Sequence, residues 1–249
     1  MWPFANKEDK KINATVSNIA EFIVSRLEGR GLISLYLAGT ILSRKERVPD
    51  SDIDFFGVMS SDFNPAEEEA INSELEKQKE SLCKGFECRF RGFFLDELQS
   101  GKPRSMVGKL MRPERLAQRF PFFKLVWGKK FNYKKDFVKP MQLKDEANFL
   151  IEFIEKAIKD LRAKKQKFPV EDFPKFIIEL IRVEAMMFQG YNYHPDRKRL
   201  QHFLRKQESH IIHKAMDLRR RKAGWDEMVA FCADVEKYIA GLKEMTRKL

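Results

Sequence analysis

Two short apolar runs, Leu32-Ile33-Ser34-Leu35-Tyr36-Leu37 and Asp52-Ile53-Asp54-Phe55-Phe56-Gly57-Val58-Met59, flank a break at Gly39-Thr40 and a charged loop. Runs of this length bounded by turn residues read as buried strands. Side chains alternate along a strand, which sets Asp52 and Asp54 on one face and turns Ile53 and Phe55 to the other. Two ionised carboxylates about 6 Å apart, at an effective dielectric constant near 20, repel by a few kcal/mol, and a cation between them resolves the conflict. Mg²⁺ fits that role, because it takes hard oxygen ligands and is commonly held by one or two carboxylates with phosphates and water; Mn²⁺ is the alternative.

The break is informative in its own right. Gly39 ends the first strand, and the spacing predicts a short helix from Ile41 to Glu46. The N–H groups at such a helix start point outward, and the dipole favours an anion there. Gly39 lets a phosphate approach the backbone, and the Thr40 hydroxyl can cap the helix or bond a phosphate oxygen. A triphosphate suits the combination.

Leu37-Ala38-Gly39-Thr40 followed by Ser51-Asp52-Ile53-Asp54, with eleven residues between Thr40 and Asp52, resembles the nucleotidyltransferase superfamily of DNA polymerase beta. In that family Ser more often stands where this chain has Thr40. The resemblance implies that Asp52 and Asp54 hold metal, that Gly39, Thr40 and Ser51 contact the nucleotide, and that a third carboxylate lies on a later, adjacent strand. Phe86-Glu87-Cys88-Arg89-Phe90-Arg91 alternates apolar with charged residues, so Glu87 is the candidate, either binding metal or taking the acceptor's proton. Asp96 is the rival, but Phe94-Leu95-Asp96-Glu97-Leu98 reads as a helix start.

The formal charge of +11 is unevenly spread. Residues 1–100 carry a balance of −5, whereas Gly101 to Pro140 holds twelve basic residues against two acidic ones, a local charge of +10. This basic stretch is interleaved with Phe120, Phe122, Phe123, Trp127, Phe131 and Tyr133, a composition that can attract RNA and stack its bases. The other reading packs the rings between domains and leaves the lysines as a solvated face. Arg112 and Arg115 can also neutralise a bound triphosphate. Cys83, Cys88 and Cys232 have no metal-ligand spacing and read as reduced packing residues. The first residues lack a signal peptide's apolar stretch, and no run is long enough to span a bilayer, so a cytoplasmic protein is expected.

Asn13-Ala14-Thr15 opens a predicted helix to about Leu27, irregular or short helical structure is expected in the basic middle, and from Leu143 onward the pattern is helical. Phe149, Ile151, Phe153, Ile154, Ile158 and Leu161 form one stripe, a second helix is predicted over Val170 to Phe188 with Gly190 as its stop, and others start near Asp196 and Trp225. Phe173-Pro174-Lys175-Phe176-Ile177-Ile178-Glu179-Leu180-Ile181-Arg182-Val183, with Ile211 to Leu218 and Trp225 to Tyr238, resembles the helical domain of aminoglycoside adenylyltransferases of the streptomycin and spectinomycin type. Where that family carries a Ser-Lys pair, this chain has Pro195-Asp196-Arg197-Lys198, and the resemblance implies nucleotide contact by Lys198 or Arg197. Arg182, on an apolar helix, reads as an internal ion-pair partner. Arg205 and His210 match the Arg-x4-His spacing of small helical RNases, a coincidence frequent by chance.

The expected architecture is α+β: a nucleotidyltransferase domain with a small mixed sheet over residues 1–100, a basic connecting segment over 101–142, and an all-α helical bundle over 143–249. The expected activity is metal-dependent transfer of a nucleoside monophosphate from an NTP, ATP foremost, to a hydroxyl acceptor such as RNA. A small aminoglycoside-like acceptor, a protein hydroxyl, and a non-catalytic nucleotide- or RNA-binding module are the alternatives. Oligomeric state is not legible.

Overall fold

The computed structural model describes residues 7–42 and 52–248. Ser51 and most of the charged loop before it lie outside them. The chain divides into two units, Met1–Pro140 and Met141–Leu249. The first is built on a four-stranded mixed sheet and the second is helical, so the α+β class holds.

The first unit opens with α1 (Lys7–Leu27), which starts before the Asn13-Ala14-Thr15 signal. Its Val16, Ile19, Ile23 and Leu27 recur at helical spacing and are buried. Strand β1 (Leu32–Ala38) runs antiparallel to β2 (Ile53–Met59), the helix α2 (Ala66–Lys77) crosses over, and β3 (Cys88–Phe94) returns parallel to β2. Alternation then divides the core. Leu35, Leu37, Ile53, Phe55 and Phe90 pack with α1 and α2 on one face, and Tyr36, Ala38, Phe56, Val58 and Phe93 face the other.

That second face is covered by the segment expected to connect two domains. Residues 95–137 supply α3 (Leu95–Ser100), α4 (Met106–Met111), α5 (Pro113–Arg119), a fourth strand β4 (Lys124–Gly128) and a short α6 (Tyr133–Asp136). Strand β4 pairs antiparallel with β1, giving the order β3-β2-β1-β4. The segment 101–142 is therefore in large part a layer of the first unit, and the irregular or helical reading of its middle missed a strand. Phe120 meets Tyr36 and Phe137 at 4.6 and 4.7 Å, Phe123 stacks on Phe56 at 5.0 Å and Phe131 is buried, whereas Phe122, Trp127 and Tyr133 are half-buried. Lys109, Lys129, Lys130, Lys134, Lys135 and Lys139 remain exposed, the pattern of a core-facing aromatic set with a solvated basic outside.

Strand β3 is a sheet edge, and its outward backbone groups are closed by side chains. Asn72 of α2 accepts from the Phe90 N–H at 2.8 Å and donates to the Phe90 carbonyl at 2.9 Å, while Glu68 accepts from the Gly92 N–H at 2.8 Å. Burial pushes the Glu68 carboxyl above its ordinary range, opposed by that N–H and by Arg91. An edge tied up this way does not recruit another strand. Asn72→Ala is expected to destabilise the unit by about 2 kcal/mol, since two backbone groups lose partners. Urea denaturation measures the loss, and light scattering should show added self-association.

The second unit contains α7 (Leu143–Arg162), α8 (Phe173–Phe188), α9 (Arg197–Phe203), α10 (Ile211–Arg220) and α11 (Trp225–Arg247). One core joins Ile154, Ile158 and Leu161 of α7 to Ile177 and Ile181 of α8, Ala215 of α10, and Phe231 and Val235 of α11. Gly190, at φ +70°, follows the end of α8 as its spacing predicts. No helix among the described residues is long and apolar enough to cross a membrane.

Candidate functional site

Antiparallel pairing brings the C-terminal end of β1 to the N-terminal end of β2, with Ala38 opposite Asp54. Gly39 follows in a left-handed conformation, φ +84°, and a Cβ there would meet Asp54 Oδ2 at 3.2 Å. The left-handed backbone favours glycine there, and the Asp54 carboxylate packs close against it. Thr40 opens a 3₁₀ turn, Thr40–Leu42, and the rest of the helix expected to reach Glu46 lies outside the described residues. The Leu42 N–H bonds the Gly39 carbonyl at 3.3 Å. The Thr40 hydroxyl lies outside the described side chains.

The parallel β2–β3 register sets Ile53 beside Cys88 and Asp54 beside Arg89. One step back it brings Glu87 next to Asp52, and the Ile53 N–H bonds the Glu87 carbonyl at 2.8 Å. Asp52, Asp54, Glu87 and Arg89 therefore share one face and one end of the sheet, beyond the Phe56 and Phe93 rings. Glu87 sits just before β3, half-exposed, and its carboxylate is ion-paired with Arg89. Burial lowers the Arg89 guanidinium's pKa, but Glu87, Asp52 and Asp54 together raise it above its usual value. The same two aspartates and the neighbouring Cys83 add to the burial that pushes the Cys88 thiol up.

Sequence reasoning passed over Arg89. The Glu87-Cys88-Arg89 alternation contained the signal, since it puts acid and base on one face two residues apart. Asp96, the rival carboxylate, belongs to the first turn of α3 and pairs with Arg104 at 3.2 Å. Arg112 pairs with Glu114 at 3.4 Å, and Arg115 is buried.

Along the outer side of β3 opens a cavity of about 370 Å³. Its walls include Glu87, Arg89 and Arg91 of the strand region, Glu76 of α2, and Leu110 and Met111 of α4. Among the described residues no three acidic, histidine or cysteine side chains gather closely enough to hold a metal ion. The Asp52 and Asp54 pair alone has the oxygen chemistry Mg²⁺ or Mn²⁺ takes when phosphate and water complete the shell. Glu87 is turned to Arg89.

In the second unit Lys198 stands exposed in the first turn of α9, whose start is capped by Asp196 accepting from the Lys198 N–H at 2.8 Å and the Arg199 N–H at 3.2 Å. Arg182 is buried and donates to Glu179 at 2.6 Å and to the Pro195 carbonyl at 3.2 Å, the internal role its helix position suggested. His210 Nδ1 caps α10 by accepting from the Ile212 N–H at 3.1 Å, and Nε2 lies 3.5 Å from Glu184, which accepts the Tyr238 hydroxyl at 2.6 Å. Arg205 donates to the His202 carbonyl at 2.9 Å at the surface. These contacts give His210 and Arg205 structural work. The three cysteines are free and buried, as packing residues would be.

Comparison with solved structures gives a match across most of the chain. The fold is shared with a spectinomycin adenyltransferase. That protein, AAD(9) from Enterococcus faecialis, solved with ATP and spectinomycin, superposes with a TM-score of 0.50 over 84% of this chain and 98% of its own, at 14% identity. At that identity the match speaks for the fold alone. No family model matches the sequence, and no curated protein matches it.

Proposed function

We propose that this chain transfers a nucleoside monophosphate from an NTP, ATP foremost, to a hydroxyl acceptor. The reading is carried by the Asp52 and Asp54 pair packed against the Gly39 turn. It is supported by a fold shared with a protein whose structure holds ATP. Asp52 and Asp54 would hold Mg²⁺ or Mn²⁺, which supplies charge stabilisation at the phosphoryl oxygens when bound. Gly39 and Thr40, with Ser51, would position the leaving phosphates. Glu87 would take the proton as the acceptor oxygen bonds to the α-phosphorus and the bond to pyrophosphate breaks.

For the acceptor, RNA draws on the exposed lysines of 101–140 and predicts binding that weakens steeply with salt. Phe120 and Phe131, two of the rings offered for base stacking, are buried in the core and Phe123 and Tyr133 pack partly against it, which favours a second reading in which the acceptor is a small hydroxyl compound. Incubation with α-labelled NTPs and either divalent metal, against separate pools of RNA, protein and aminoglycosides, tests both. Label in the small-molecule pool supports the second reading, and label in RNA restores the first. Label in protein would make a protein hydroxyl the acceptor. No transfer to any pool would leave a nucleotide- or RNA-binding module.

A further inference from the structure

We propose that Arg89 is a latch: it holds Glu87 in an ion pair, occupies with positive charge the place beside Asp52 and Asp54 that a divalent cation would neutralise, and releases Glu87 when that cation arrives. The inference rests on reading Asp52 and Asp54 as metal-holding residues, and it makes Arg89 a positioning residue.

The register is the first support. Glu87 lies beside Asp52 and Arg89 beside Asp54, so all four charged groups share one face, yet the described carboxylates do not converge on a three-ligand site. The Glu87–Arg89 ion pair accounts for the gap. Two residues along a strand separate their Cα atoms by about 6.6 Å, so the long Arg side chain must fold back to reach Glu87 and is free to swing away again.

The pair is also weak enough to open. Arg89 and Glu87 keep 41% and 44% of their side-chain surface exposed, where screening limits an ion pair to a factor of about two to five in equilibrium. Arg89 also borders the cavity at the β3 edge, which leaves its guanidinium room to move. Removing the guanidinium should therefore strengthen metal binding, whereas losing a merely structural arginine would weaken it.

The experiment titrates Mn²⁺ alone into the full chain and reads free Mn²⁺ by electron paramagnetic resonance, with no turnover involved. Arg89→Met and Arg89→Gln are expected to tighten Mn²⁺ binding by about threefold to tenfold, and Arg89→Lys to stay near wild type. Thermal melting confirms that each variant is folded, and two neutral variants guard against loss of either one. Unchanged or weaker binding in both, with Asp54→Asn abolishing binding, overturns the latch and leaves the proposed activity standing. Equal Mn²⁺ binding by wild type and Asp54→Asn removes the metal reading and the latch with it.

Discussion

Asp54→Asn is expected to lower nucleotidyl transfer by about 10³-fold or more while leaving the melting temperature within a few degrees of wild type. The amide keeps the shape that rests against Gly39, where Asp54 Oδ2 would lie 3.2 Å from an added Cβ. It removes the negative charge on which the proposed divalent ion would rest, and on that mechanism the loss costs several kcal/mol of transition-state stabilisation. Folding is little affected because Asp54 is only half-buried, and the repulsion from nearby Asp52 that is relieved offsets the attraction to Arg89 that is lost. Rates of label transfer from α-labelled ATP to the acceptor, set beside thermal denaturation of the same preparations, decide it. A rate within a few-fold of wild type would remove Asp54 from the chemistry.

Glu97→Ala is expected to act in the opposite way, on folding first. Glu97 is 1% exposed, and its carboxylate gathers the α3–α4 corner by accepting from the Phe94 N–H at 3.0 Å, the Arg104 N–H at 2.6 Å, the Ser105 N–H at 2.9 Å and the Ser105 hydroxyl at 2.6 Å. Truncation leaves three buried or half-buried N–H groups without their acceptor, and a cost of about 3–5 kcal/mol follows. For a unit of this size the melting temperature should fall by roughly 10 °C. Glu97→Gln should cost less, because the Ser105 hydroxyl can turn to accept from the new NH₂ group while the Phe94 N–H cannot. Gly108 packs so close that a Cβ there would overlap Glu97 Oε2, so the corner offers little room to adjust. Helix α4 starts from it and lines the β3 cavity, so the cavity wall should loosen with stability.

The elements most visible in the chain were those with a clean local period. The β1 and β2 runs, the Glu87 to Phe94 alternation, the α7 stripe and the Gly190 stop all appear close to where periodicity and turn chemistry put them. Boundaries moved where local signals were outvoted, as at α1, which extends six residues before Asn13. The candidate site divides in the same way. The shared face of Asp52 and Asp54 needs only a strand's alternation, but the Arg89 grip on Glu87 depends on which of several neighbouring charges a long side chain reaches.

Residue order alone determined that the two aspartates point one way, that Gly39 breaks the strand before them, and that the last hundred residues are helical, because each is a property of neighbours within a few positions. Only the folded chain decided that Lys124–Gly128 is a strand, since that run has no marked alternation and acquires its identity by pairing with β1, some ninety residues earlier. Tertiary packing also turned the aromatic rings of the basic segment inward, against Tyr36 and Phe56. Burial of rings on a sheet face is a long-range gain of apolar contact, and no local pattern of lysine and phenylalanine encodes its direction.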